Sequence, residues 1–256
     1  MRLVENTNEM YGLQAQHFQH QPELDGRNCR DCFLQRHCLP NSLDDRSRTA
    51  LSEITSHPKP FHKGRYIYRQ NSPFSSIYIV RSGVVKTYYF DERGDEHITG
   101  FYLPGEMFGI DGIGRSKYRY NAQALDTTAI CAIDYNTLEG LYPHFVGIQQ
   151  QVTATLCEEL FERQQSLLNI RQQAAEERLA AFLVDISKRM QKQGQLAREF
   201  YLPMPRRDIA GYLGVAEETM SRLFRRLQDR NFLVVEGRQV IDLDLDSLLA
   251  MSVSIN

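Results

Sequence analysis

The stretch "RRDIAGYLGVAEETMSRLFRRL", Arg206 to Leu227, decides how the rest of the chain is read. Ala210 is small where two helices must cross closely, and Gly214, four residues later, suits a left-handed turn between them. Ile209, Leu213, Val215, Met220 and Leu223 supply apolar positions on both helices. Glu217 or Glu218 opens the second helix with a carboxylate at the positive end of its dipole. Downstream, "FLVVEGRQVIDL" reads as a β-hairpin turning at Glu236-Gly237, the wing of a winged helix-turn-helix. Charge agrees locally. The chain as a whole is nearly balanced, with 30 Lys and Arg against 32 Asp and Glu, yet Ser221 to Arg230 carries Arg222, Arg225, Arg226 and Arg230 against one aspartate. A solvated helix face is also basic, but the helix spacing together with the hairpin favours a surface for double-stranded DNA. On the second helix, Arg222 has the fork for guanine, Glu218 can accept from a cytosine amino group, and Ser221 can meet base or phosphate. Arg225 and Arg226 extend the same basic face.

Upstream, the period changes twice. From about Lys59 to Tyr135, short runs rich in β-branched and aromatic residues ("GRYIYRQ", "SIYIVRSG", "VVKTYYFDERGDEHITGFYL", "TTAICAIDY") alternate with turn signals, which predicts an antiparallel barrel or sandwich. Within the third run, "DERGDE" reads as a hairpin turn. After "YPHF", Ile148, Val152, Leu156, Leu160, Leu167 and Ile170 recur at steps of three, four or seven, with Arg163 where an apolar residue is due. A narrow stripe over about 25 residues suits a seam between two copies of the helix, and hence a homodimer. Docking of that helix on its own barrel is the alternative. "AAEERLAAFLVDISKRMQKQG" is a second amphipathic helix, stopped by Gly194.

The cysteines are the remaining signal. "CRDCFLQRHC" places Cys29, Cys32 and Cys38 within ten residues, and the chain has only two more, Cys131 and Cys157. No apolar run approaches the ~18 residues of a membrane span, and the first residues lack the apolar core of a signal peptide, so the expected compartment is the cytoplasm. Disulfides rarely persist there, and clustered thiols more often bind metal or do redox chemistry. Spacing alone leaves an iron–sulfur cluster and a structural zinc equally open. Cys157, beside the long helical stripe, is expected to behave as a small buried hydrophobe. His17 and His20 form only a weak metal pair in a polar arm over residues 1 to 28, expected to be flexible. A P-loop, an H-E-x-x-H and a recognisable nucleophile motif are all missing from the sequence, which argues against an enzyme.

A β-rich domain, a long helix and a C-terminal winged helix together resemble the cyclic-AMP receptor and FNR superfamily of bacterial transcription regulators. The match is best to the FNR branch, the anaerobic regulators of fumarate and nitrate reduction, on "CRDCFLQRHC", "GDEHITGF", "AQALDTTAIC", "AEERLAAF" and "LGVAEETMSR". The resemblance implies an α+β fold in four parts: an N-terminal arm (1–28), a cluster-binding segment with an antiparallel β-roll sensor domain (29–147), a dimerisation helix (148–172), and a winged helix-turn-helix domain (173–256). It further implies a [4Fe–4S] cluster on Cys29, Cys32, Cys38 and Cys131, converted by oxygen to a [2Fe–2S] form and then lost. The cluster-bearing homodimer would read a palindromic TTGAT-type site through Glu218, Ser221 and Arg222, activating or repressing anaerobic-metabolism genes. The turn at Gly94 and Asp95 corresponds to a surface that touches RNA polymerase. Two residues depart from the family pattern beside the ligands, Phe33 and His37, the latter expected as a partly exposed loop residue. "LPGEMFGIDG" resembles the phosphate-binding loop of the cyclic-AMP receptors. Ile110 is read at the place of their ribose-binding glutamate, which argues against a cyclic nucleotide, and Arg119 is read as a turn residue.

Overall fold

Alternation along one strand sets the layering of the N-terminal domain. In β3 (Ser76–Ser82), Ile77 and Ile79 point to one side of the sheet, while Tyr78 and Val80 point to the other. The computed structural model describes Cys29 and residues 32–252. The expectations for residues 1 to 28, including His17 and His20, lie outside the described residues, as do the side chains of Arg163, Leu167 and Ile170.

Two four-stranded antiparallel sheets form the roll. The first runs β1 (Thr55–Ser56), β8 (Ala129–Asp134), β3 and β6 (Met107–Phe108). The second runs β2 (Tyr66–Tyr68), β7 (Asn121–Ala124), β4 (Val85–Phe90) and β5 (Glu96–Tyr102). Between them lie Tyr68, Val80, Val85, Tyr102, Phe108 and Tyr118, all buried. Tyr68 and Tyr118 stack at 3.9 Å between ring centroids, and Tyr78 and Phe108 at 5.3 Å. The roll is thus filled by its own rings.

On the outer face of the first sheet, Ile77, Ile79, Met107 and Ile133 are covered from three directions. Leu39 and Leu43 come from the cysteine segment and Leu51 from α1 (Asp45–Glu53). Leu138 comes from α2 (Tyr135–Leu141), and Ile148 and Val152 from α3 (Val146–Gln172). Helix α1 starts where Asp44 accepts a hydrogen bond from the Ser47 amide at 2.7 Å, an N-cap worth about 1 kcal/mol.

This covering corrects part of the expected seam. Ile148 and Val152 are core residues of their own subunit, 0% and 3% exposed, because the first turns of α3 pack on the roll. Leu156 is half-buried against the same cluster, whereas Leu160 stands exposed, joined by Phe161, which the stripe did not include. Cys157 is a second correction: it is exposed on α3, not buried.

The winged helix is built as the sequence predicts. Helix α4 (Ala175–Lys192) leads, by a turn in which Gly194 has φ +81°, to β9 (Phe200–Tyr201). Helix α5 (Arg206–Leu213) ends on Gly214 at φ +65°, ψ +41°, a left-handed cap that closes the turn into α6 (Glu217–Asp229). Strands β10 (Leu233–Glu236) and β11 (Gln239–Leu243) form the wing. Glu236 pairs with Gln239, so the two loop residues are Gly237 and Arg238, one step later than read. Helix α7 (Leu245–Ser252) closes the domain against α4.

The two domains share a core. Val84, Phe101, Leu103 and Leu125 of the roll pack with Leu179, Phe182 and Leu183 of α4 and with Ile209 and Leu213 of α5. Inside that contact Lys86 of β4, 4% exposed, sits 2.6 Å from Glu96 of β5 and 3.3 Å from Asp208 of α5, which is 2% exposed. Among the described residues, Asp208 Oδ1 accepts no hydrogen bond, and the Arg207 Nε lies 3.6 Å from it. A few ångströms away, Arg189 of α4 grips Glu106 with two hydrogen bonds, 2.6 and 2.8 Å.

Candidate functional sites: a cysteine cavity and a nucleic-acid interface

Cys131 lies on β8 opposite Ile79, on the face that the cysteine segment covers. That segment is tied down by short-range bonds and two apolar anchors. Gln35 N–H donates to the Cys32 carbonyl, His37 N–H to the Leu34 carbonyl, and Asn41 N–H to the Cys38 carbonyl. Leu34 and Leu39, 3% and 5% exposed, are buried on either side of Cys38, and the Cys29 amide donates to Ser52 Oγ at 3.2 Å. As a result Cys29, Cys32, Cys38 and Cys131 line one pocket with Gln35, Leu51, Thr55, Ile79 and Ile133, about 350 Å3 counted out to its mouth. The structure therefore brings all four expected ligands together and leaves Cys157 apart.

Burial governs the chemistry of these thiols. It pushes Cys131 up to about 12 and raises Cys38 further, with neighbouring cysteines adding to the rise at Cys38 and Arg81 opposing it at Cys131. Cys29 is also raised, again chiefly by burial. Cys29, Cys38 and Cys131 so placed hold their protons at neutral pH, and a positively charged group bonded to them would stabilise them as thiolates. Soft sulfur donors in an apolar pocket fit an iron–sulfur group. Among the described residues, no three His, Cys, Asp or Glu side chains converge at the spacing of a single metal ion.

These shifts carry a stability prediction. Folded thiols keep protons that the unfolded chain releases above its value near 9. The metal-free protein should therefore lose stability as pH climbs from about 9 towards 12, the fall levelling off above the folded value. Urea midpoints of the reduced, metal-free chain between pH 7.5 and 10.5 read this, with Cys131→Ser giving the shallower slope (pH range set by the shifts above). Equal slopes would contradict it.

Several residues at this site carried no signal in the sequence. His57 places Nδ1 3.5 Å from Cys131 Sγ, and Arg81, 8% exposed, adds a buried cation whose field reaches Cys29 and Cys131. Gly105 lies so close to the cysteine segment that a Cβ there would stand 2.6 Å from the His37 carbonyl oxygen. His37 itself is exposed, as expected, and so is Phe33. Ile110 is half-buried in the core shared with Cys38 and Cys131; the carboxylate of Glu106, in the turn before it, carried no signal in the sequence and is held by Arg189 and the Leu103 amide.

At the other end, Glu218, Ser221, Arg222 and Arg225 fall at positions one face apart on α6, and all are exposed. The apolar side of the helix, Met220, Leu223, Phe224 and Leu227, is buried. Arg226 departs from its expected company: it leans 3.9 Å from Glu176 of α4, beside Arg230, which donates to the same carboxylate at 3.0 Å. The sequence did not flag Arg206, whose guanidinium lies over the Phe224 ring and donates to the Gly237 carbonyl, joining wing to recognition helix. Burial, with help from Arg238, lowers it to about 10, so it stays cationic at neutral pH.

Comparison with known proteins agrees with this geometry. Residues 58–144 match the cyclic nucleotide-binding domain family and residues 177–251 the Crp-like helix-turn-helix domain. The chain is 39% identical over 225 residues to the transcriptional activator protein Anr of Pseudomonas aeruginosa, which covers 88% of this chain and 92% of the relative. It belongs to the Crp/FNR family of transcription regulators. This Crp/FNR chain is also 37% identical to the fumarate and nitrate reduction regulatory protein of Salmonella typhimurium, over 88% of its own length and 90% of the relative's. Among solved structures, FixK2 from Bradyrhizobium japonicum superposes with a TM-score of 0.72 at 27% identity, over 79% of this chain and all of that one. The Crp/FNR protein is accordingly a DNA-binding regulator and not an enzyme. No helix of the described residues is long and apolar enough to cross a membrane.

Proposed function

We propose that this Crp/FNR protein is a cytoplasmic, oxygen-responsive regulator that carries one [4Fe–4S] cluster per subunit on Cys29, Cys32, Cys38 and Cys131. The observation that carries the reading is the gathering of these four thiols, three from one segment and one from β8, around a single apolar pocket. When bound, such a cluster supplies an oxygen-labile, thiolate-neutralising centre. The alternative is a static structural zinc on the same four thiols; the likeness to the fumarate and nitrate reduction regulatory protein supports the iron–sulfur reading. The roll supports the same reading against a cyclic nucleotide: its interior is occupied by tyrosines and Phe108, Glu106 is held by Arg189, and Asp111 accepts from the amides of Arg119 and Tyr120.

The chain's own residues give the switch its reach. Cys38 and Cys131 share a hydrophobic cluster with Ile148, Val152 and Leu156, so the cysteine segment is part of the seat of α3. The proposed homodimer seam then begins where α3 leaves the roll, at Leu160 and Phe161, and continues through Arg163, Leu167 and Ile170. Two-fold symmetry would set two α6 helices about one turn of DNA apart on an inverted TTGAT-type repeat. The β4–β5 hairpin presents Gly94, φ +85°, and Asp95 at its exposed tip, where contact with RNA polymerase is proposed.

At the DNA end, Arg222→Ala should cost about 1–3 kcal/mol on a cognate duplex and little on a scrambled one. Fluorescence anisotropy on both duplexes reads the difference. Equal losses would make Arg222 a phosphate contact and remove it from base reading.

A further inference from the structure

The turn from Leu103 to Glu106 crosses from β5 in the second sheet to β6 in the first, and it touches both functional ends of the molecule. On one side is the cysteine segment: Gly105, at φ +90°, sits where only hydrogen leaves room for the His37 carbonyl, one residue before Cys38. On the other side is the DNA-binding domain. Glu106 accepts from its own turn, the Leu103 amide at 2.9 Å, and from Arg189 Nε and Nη2 of α4. Arg189 also donates to the Phe101 carbonyl at 2.6 Å, leaving Asp185 as its partner within α4 at 3.0 Å. Beyond the turn, Met107 pairs with Ile79, which lines the cysteine pocket.

We infer that Glu106 and Arg189 are positioning residues that carry the state of the cysteine segment to the winged helix. The inference rests on the proposed cluster-dependent function and adds the contact through which the response travels. The reasoning is geometric. The His37 carbonyl packs on Gly105, and Gly105 and Glu106 are adjacent residues of one short turn, held by Gly105 N–H to the Val80 carbonyl and Val80 N–H to the Glu106 carbonyl. A shift of the cysteine segment is therefore a shift of the carboxylate. Arg189 has three of its four hydrogen bonds on that turn and the end of β5, so α4 must follow or lose them.

The test uses full-length wild type, Glu106→Gln, Arg189→Gln and the double variant, each reconstituted anaerobically with iron and sulfide and each again after air exposure. Two quantities are read: affinity for a TTGAT-type duplex, and hydrogen exchange of the peptide covering residues 180–192. Wild type should show a loaded-to-unloaded affinity ratio of about tenfold or more, with exchange in 180–192 rising on cluster loss. In either single variant the ratio should fall to within about twofold of unity and exchange in 180–192 should stop responding, with no further effect in the double. Circular dichroism melts establish that each variant is folded, and Glu106→Gln keeps the shape of the turn should Arg189→Gln not fold. Wild type that takes up no cluster, or binds DNA equally in both states, overturns the proposed function and this inference together. Wild type that responds alongside variants that respond equally overturns the inference alone.

Discussion

Asp208→Ala is expected to destabilise the protein by about 2–3 kcal/mol, the cost of taking from a buried lysine one of its two carboxylates. Lys86 is almost wholly enclosed between the roll and α5, and Glu96, a third exposed, is its other carboxylate partner among the described residues. Removing Asp208 leaves Lys86 held by Glu96 of its own sheet alone and cuts the ionic tie to α5 at the contact between the domains. Equilibrium denaturation should show either a lower single transition or a split into two, the winged helix melting apart from the roll. The paired replacement Lys86→Met with Asp208→Leu should recover most of the loss, since an apolar pair of similar size suits a buried position. A loss below about 1 kcal/mol for Asp208→Ala would mean that the pair is solvated in solution and does not hold the domains together.

The second large effect concerns the cysteines. Cys131→Ala should abolish the iron–sulfur chromophore of anaerobically isolated protein, and Cys157→Ala should leave it intact. The contrast follows from position. Cys131 lies in the pocket with Cys29, Cys32 and Cys38, while Cys157 faces solvent on α3. Cluster on a Cys131→Ala protein, or its loss from Cys157→Ala alone, would refute the ligand assignment.

Much of this was legible in the sequence because it is local. The Ala210, Gly214 and apolar spacing of the helix-turn-helix and the period-2 strands depend on residues a few positions apart and stand where the pattern puts them, and the wing turns one residue later than its pattern suggests. On α3 the apolar positions Ile148, Val152 and Leu156 lie on one side, against the roll, but periodicity cannot name what an apolar face meets. Ile148 and Val152 are met by the chain's own Leu39, Leu43 and Leu138. The strands β6 and β7 went unread because Met107–Phe108 is too short and Asn121–Ala124 too polar and small to show alternation. Cys157 was placed by the general habit of free cysteines, which says nothing about the side of a helix on which one sits. The long-range contacts were invisible for a physical reason: Lys86 with Asp208 and Glu106 with Arg189 between the domains, and His37 with Gly105 within one, lie far apart in the chain and carry no spacing rule. The four proposed ligands rest on a resemblance, since C-x2-C-x5-C does not by itself choose between zinc and iron–sulfur.

The central claim is that the four thiols hold an oxygen-labile cluster, and the most direct measurement is the iron, zinc and acid-labile sulfide content of protein purified without oxygen. The account predicts about four iron and four sulfide per chain, a visible absorbance that bleaches in air, and no stoichiometric zinc. One zinc per chain with no labile sulfide would contradict it.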